Sequence, residues 1–199
     1  MIYNLSVRLA EKLKSNGYLQ DTEKEIVAYG LFSLISKLMY ALICLTIGFC
    51  FKLPLESMLF YAVFLLVKKY GGGFHASTEG RCMIVSTLSI LAAVGFIYAV
   101  NLSALTARVG FAAAVLASVI VCLLSPVAAK EKELSEDEVK RYKKRSIIIT
   151  AAVLTAAVIT FALGLHRICA PLCAALVLES VMASLGKLSL KRQKRTSKG

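Results

Sequence analysis

The 199-residue chain is 58% hydrophobic and 18% charged, with a mean hydropathy of +0.72; soluble domains hold about 45–50% apolar and about 25% charged residues, so an ordinary water-soluble globular protein is excluded. At roughly 20 apolar residues per bilayer crossing, the chain has room for five or six crossings with short connections and none for a second, soluble domain. The net charge of +12 would point to nucleic acid on a soluble chain; on a membrane chain it records orientation, and no nucleic-acid partner is expected.

In chain order, Ile2, Leu5, Leu9 and Leu13 recur at helical spacing between Arg8, Glu11, Lys12 and Lys14. This is the pattern of an amphipathic helix lying in the headgroup plane, and it makes residues 1–25 an interfacial segment, either a plain anchor or a surface on which substrate docks. The segment lacks a signal peptide's apolar centre and small-residue cleavage site, so the first membrane helix is expected to act as the insertion signal. Six apolar spans follow, at about Ile26–Phe51, Leu53–Val67, Cys82–Ala104, Val109–Ala129, Ser146–Leu165 and Ile168–Gly186. They predict an all-α polytopic membrane protein whose span region is 26–186, followed by a basic tail, 187–199. The second span is the weakest, since it holds Pro54 and Glu56 and covers only about 22 Å.

Loop charges set the expected sidedness. The N-terminal segment, the loop after span two, the loop from Lys130 to Arg145 and the tail together carry twenty Lys and Arg, while the opposite loops carry Lys52, Arg108 and Arg167. Both termini and the loop after span two are therefore expected on the cytoplasmic face. Lys37 and Glu179 are the ionisable residues deepest in the spans. Their depths differ by about 6 Å, which a Lys stem can bridge; alternatively each reaches water or headgroups separately. Cys44, Cys50, Cys122, Cys169 and Cys173 lie in apolar runs, where a free Cys acts as a small hydrophobe.

Chemistry concentrates in residues 68–82, Lys68-Lys69-Tyr70-Gly71-Gly72-Gly73-Phe74-His75-Ala76-Ser77-Thr78-Glu79-Gly80-Arg81-Cys82. This stretch holds one of the two His residues and the sole Cys at a polar span boundary. A Cys and a His on a water-accessible loop supply a thiol nucleophile and its general base; a structural loop with a chance thiol is the bland alternative. On one continuous helix the two Cα atoms would stand about 10.5 Å apart, so the chain must fold back between them. Gly71, Gly72, Gly73 and Gly80 are expected to give that freedom. Cys82 stands at a helix start beside Arg81, a setting that favours thiolate. With two good ligands plus Glu79, no metal site is expected.

At these residues the chain resembles the accessory gene regulator B family, membrane cysteine endopeptidases that process quorum-sensing propeptides in Gram-positive bacteria. The likeness lies in Gly72-Gly73-Phe74-His75-Ala76 followed by Cys82, in the length, in the six apolar spans and in the basic loop near Lys130. The resemblance implies Cys82 as nucleophile, His75 as base and Gly73 as a functionally important glycine. Lys68 stands where the family usually has Arg, which keeps the charge and loses bidentate carboxylate binding. Lys68, Lys69, Gly72, Gly73 and Arg81 are expected to hold substrate.

The implied substrate is a propeptide with an amphipathic leader, a central segment bearing an internal Cys or Ser, and an acidic C-terminal tail. The implied reaction removes that tail through a thioester on Cys82, which leads to thiolactone or lactone cyclisation. No cofactor is expected; membrane lipids and a second copy of the chain, in a homodimer, are the other expected partners, at the bacterial cell membrane. The rival reading is a non-enzymatic peptide transporter or exporter, which intramembrane Lys37 and Glu179 would suit.

Overall fold

The computed structural model describes residues 2–20, 23–72, 79–127 and 136–196. Among the described residues there are seven helices and no strand: α1 (Ile2–Ser15), α2 (Lys24–Cys50), α3 (Pro54–Gly71), α4 (Glu79–Val100), α5 (Ala104–Leu124), α6 (Glu136–Ala162) and α7 (His166–Thr196). The protein is an all-α, multi-pass membrane protein. Five helices, α2 and α4 to α7, are long and apolar enough to cross a membrane. The second expected span, α3, is not one of these; it has 18 residues, or about 27 Å, and carries Glu56, Lys68 and Lys69.

Helix ends differ from the apolar runs wherever polar residues are helical. α3 continues past Val67 through Lys68 and Lys69, whose charges suit the negative end of a helix dipole. α5 begins at Ala104 rather than Val109 because Ser103 caps it. The Thr106 N–H donates to Ser103 Oγ (3.2 Å) and the Ser103 N–H to Thr106 Oγ1 (3.1 Å), a reciprocal capping box that satisfies two otherwise orphaned donors. The same helix stops at Leu124 instead of Ala129, since Ser125 precedes Pro126 and a residue before proline is pushed out of helical backbone. α6 starts ten residues before Ser146, and α7 runs on to Thr196 instead of ending at Gly186. Both extensions are rich in Lys and Arg, with Glu136 and Glu138 in the first; these are good helix formers but invisible to a search for apolar runs.

The chain forms two compact units, Met1–Ile43 and Cys44–Gly199. In the first, the Tyr3 and Phe32 rings meet edge to face at 6.0 Å, and Lys24 Nζ lies 2.9 Å from Glu11 Oε1. That hydrogen bond and charge hold the Glu11 carboxyl below its ordinary range. On α1 the buried residues are Ser6 and Ala10, while Leu5, Leu9 and Leu13 are exposed, so the apolar stripe faces away from the protein, as an interfacial helix requires.

In the second unit α7 is the central helix. It packs on α3, α4, α5 and α6, and 67% of its apolar stretch is buried. Close approach is made possible by small residues. α5 buries Ala107, Gly110, Ala114, Ala117 and Ser118 at spacings of three and four, the small-residue stripe typical of helix contacts in lipid, and α7 buries Ala170, Cys173, Ala174, Ala175 and Ala183. All six cysteines are free thiols; Cys169 and Cys173 stand 3.7 Å apart, one turn from each other on α7. At one end of the unit Arg167 Nε lies 3.6 Å from Glu56 Oε1, which accounts for an acid at the start of a buried helix.

Candidate active site

At the other end of this unit, α3 stops and α4 starts. The last turn of α3 carries Lys68 and Lys69. Lys68 is half-buried, its Nζ 5.3 Å from the centre of the Phe64 ring, while the exposed Lys69 lies 5.4 Å from that of Tyr70. Tyr70 also meets Tyr142 of α6 at 6.0 Å and the Arg145 guanidinium at 5.7 Å. Cation–ring contacts of this kind hold long basic side chains against aromatic faces, so the start of α6 and the end of α3 form one basic, aromatic surface.

Two adjacent glycines close α3, each for a different reason. Gly71 is helical and buried; a side chain there would run into the Glu179 carboxylate of α7. Gly72 has φ +79°, in the left-handed region that only glycine adopts without strain, and its N–H donates to Lys68 O (3.1 Å). A Cβ on Gly72 would also strike the Val127 carbonyl. Val127 lies just beyond α5 and donates its N–H to Gly71 O (2.9 Å), which makes a single parallel β-bridge between Gly72 and Val127. The ends of α3 and α5 are thereby clasped backbone to backbone.

Cys82 lies within the first turn of α4, half-buried, with Arg81 exposed beside it. It is thus three residues inside the helix, not at its first position. The N–H groups of that turn have no carbonyl partner within the helix. His75 and Gly73 fall in 73–78, outside the described residues. Seven Cα steps join Gly72 to Glu79, at most about 25 Å of chain, so the thiol and the two lysines are on the same end of the unit. Among the described residues no three His, Cys, Asp or Glu side chains converge as a metal site.

The structure also changes the part played by the glycines. Gly80, expected to loosen the loop, is part of α4 with nothing near it, and Gly71 serves close packing; among the described residues of the loop, left-handed backbone is used at Gly72. Glu179 is where reading the residues fell short. Its position as the only charge in 168–186 signals an intramembrane ionisable group, but nothing in the sequence says that its carboxylate meets Gly71. Ser125 Oγ, Ser146 Oγ and Thr150 Oγ1 share with it the state of being buried without a hydrogen-bond partner among the described residues.

The profile of the family described as accessory gene regulator B matches residues 6–184. The chain belongs to this family. It is 31% identical over 160 residues to AgrB-like protein 2 of Clostridium perfringens strain 13, covering 77% of this chain and 74% of the relative. It is likewise 31% identical over 162 residues to an AgrB-like protein of Clostridium perfringens strain SM101, with the same coverage. No solved structure matches the chain. Membership in the accessory gene regulator B family supports a part in quorum-sensing propeptide processing.

Proposed function

We propose that the protein is a membrane-embedded cysteine endopeptidase that removes the C-terminal tail of a quorum-sensing propeptide, with Cys82 as nucleophile and His75 as general base. The observation that carries this reading is the placement of Cys82: a half-buried thiol in the first turn of α4, on the end of the unit that also bears Lys68, Lys69 and Arg81. In the proposed reaction His75 takes the thiol proton, Cys82 Sγ attacks the carbonyl at the end of the signal segment, and the proton passes to the leaving amine of the tail. An internal Cys or Ser of the propeptide then attacks the thioester carbonyl, which releases Cys82 and closes a thiolactone or lactone. The working unit is proposed to be a homodimer, with both termini and this end of the unit on the cytoplasmic face.

Full-length protein in liposomes, given its propeptide and quenched in acid, is expected to carry an adduct on Cys82 whose mass equals the propeptide without its tail. Cleaved propeptide with no adduct on Cys82 at any time point would reject the acyl-enzyme.

The acidic tail is proposed to lie against Lys68, Lys69 and Arg81. Lys68→Gln is expected to weaken propeptide binding, and raising ionic strength to weaken it in the wild type, because about 8 Å of screening at physiological salt shortens as salt rises. Affinity unchanged in both measurements would leave these residues a purely topological role.

A further inference from the structure

Glu179 is fully buried in α7, and neither carboxylate oxygen has a hydrogen-bond partner among the described residues. An ionisable group in that state is costly inside an apolar bundle, and an apolar side chain would fill the space without the cost. Its neighbours are specific. Oε1 sits directly against Gly71, and Cδ lies 3.2 Å from the point where a Cβ of residue 71 would stand. Ser125 Oγ, also buried without a partner, lies 3.5 Å from the same point. Gly71 in turn accepts the Val127 N–H, and Gly72 takes up left-handed backbone against the Val127 carbonyl. The ends of α3 and α5 and the middle of α7 therefore meet at one carboxyl group, at the root of the segment that leads to Cys82.

We infer that Glu179 is a positioning residue for the peptidase. By filling the space beside Gly71 it fixes the last turn of α3 and the clasp to Val127, and so the point from which residues 73–78 run to α4. The catalytic consequence rests on the reading of Cys82 as nucleophile; the geometric one does not. Close packing of this kind, where a neighbour meets a Cα with no side chain between, holds backbone more tightly than a flexible contact, and a displacement of about 1 Å at a reacting group can cost about a hundredfold in rate.

The test uses the full-length protein in liposomes, with two readouts. One is kcat and KM for tail release. The other needs no substrate: the rate at which a maleimide alkylates Cys82 when the other five cysteines are Ala. Glu179→Ala is expected to lower kcat about a hundredfold with KM within about twofold, and to change the alkylation rate severalfold. Glu179→Gln, which keeps the shape, should retain kcat within about threefold.

Gly71→Ala should reproduce the loss, because its Cβ enters the space of the carboxylate. The double variant Gly71→Ala with Glu179→Asp, one methylene shorter, should recover kcat and alkylation to within about threefold of wild type. A folded Glu179→Ala with wild-type kcat and alkylation would overturn the inference, as would a double variant no better than Gly71→Ala alone. If Glu179→Ala does not fold, the Gly71 pair decides. Loss of the nucleophile reading would show as cleavage by Cys82→Ala, a result the alkylation rates do not depend on.

Discussion

On the proposed mechanism, Cys82→Ala is expected to abolish release of the propeptide tail, by about 10⁴-fold or more, as loss of a nucleophile does in covalent hydrolases. Cys82→Ser should be nearly as inert, since a hydroxyl lacks the thiol's ready ionisation. The control lies in the same chain. Cys50 is the exposed thiol, at the end of α2, and Cys50→Ala should leave release within about twofold of wild type. Measured on purified protein in liposomes, tail release that survives Cys82→Ala would remove the cysteine mechanism. Peptide export without cleavage, persisting in that variant, would point to the transporter reading.

Gly72→Ala is expected to destabilise the protein by about 3 kcal/mol and to remove activity with it. Two costs add at this residue. Its φ of +79° with ψ −145° is backbone open essentially to glycine alone and costs alanine about 1–3 kcal/mol, and the new Cβ would press on the Val127 carbonyl, a backbone atom with no rotamer to escape into. Relief requires the Gly71–Val127 hydrogen bond to stretch or break, another ~1 kcal/mol. Gly80→Ala is the matched comparison. Gly80 is helical with nothing within 4 Å of its would-be Cβ, so alanine there should stabilise by about 0.5–1 kcal/mol. Equal thermal stability of the two variants in the same detergent would show that the clasp carries no load.

How much of this was legible in the sequence follows from which forces act locally. Apolar runs as long as a bilayer is thick need no tertiary information, so the all-α membrane architecture could be read directly. The ends of the helices could not, because capping at Ser103 and the charged extensions of α6 and α7 are made by polar residues that an apolar count passes over. The candidate nucleophile was readable because a Cys at a polar boundary beside Arg81 is a local feature. The root of the loop was not. That Gly71 meets Glu179, 108 positions later, and that Gly72 meets Val127 are consequences of helix packing, and one glycine looks like another until the neighbour that excludes a side chain is known.

The length of α2 couples that helix to the thickness of the bilayer. Its 27 residues are about 40 Å long at 1.5 Å per residue, whereas a hydrocarbon layer is about 30 Å thick. A helix longer than its layer tilts or thickens the lipid around it, at a fraction of a kcal/mol per Å of mismatch. Membrane thickness is thus a variable to which α2 responds.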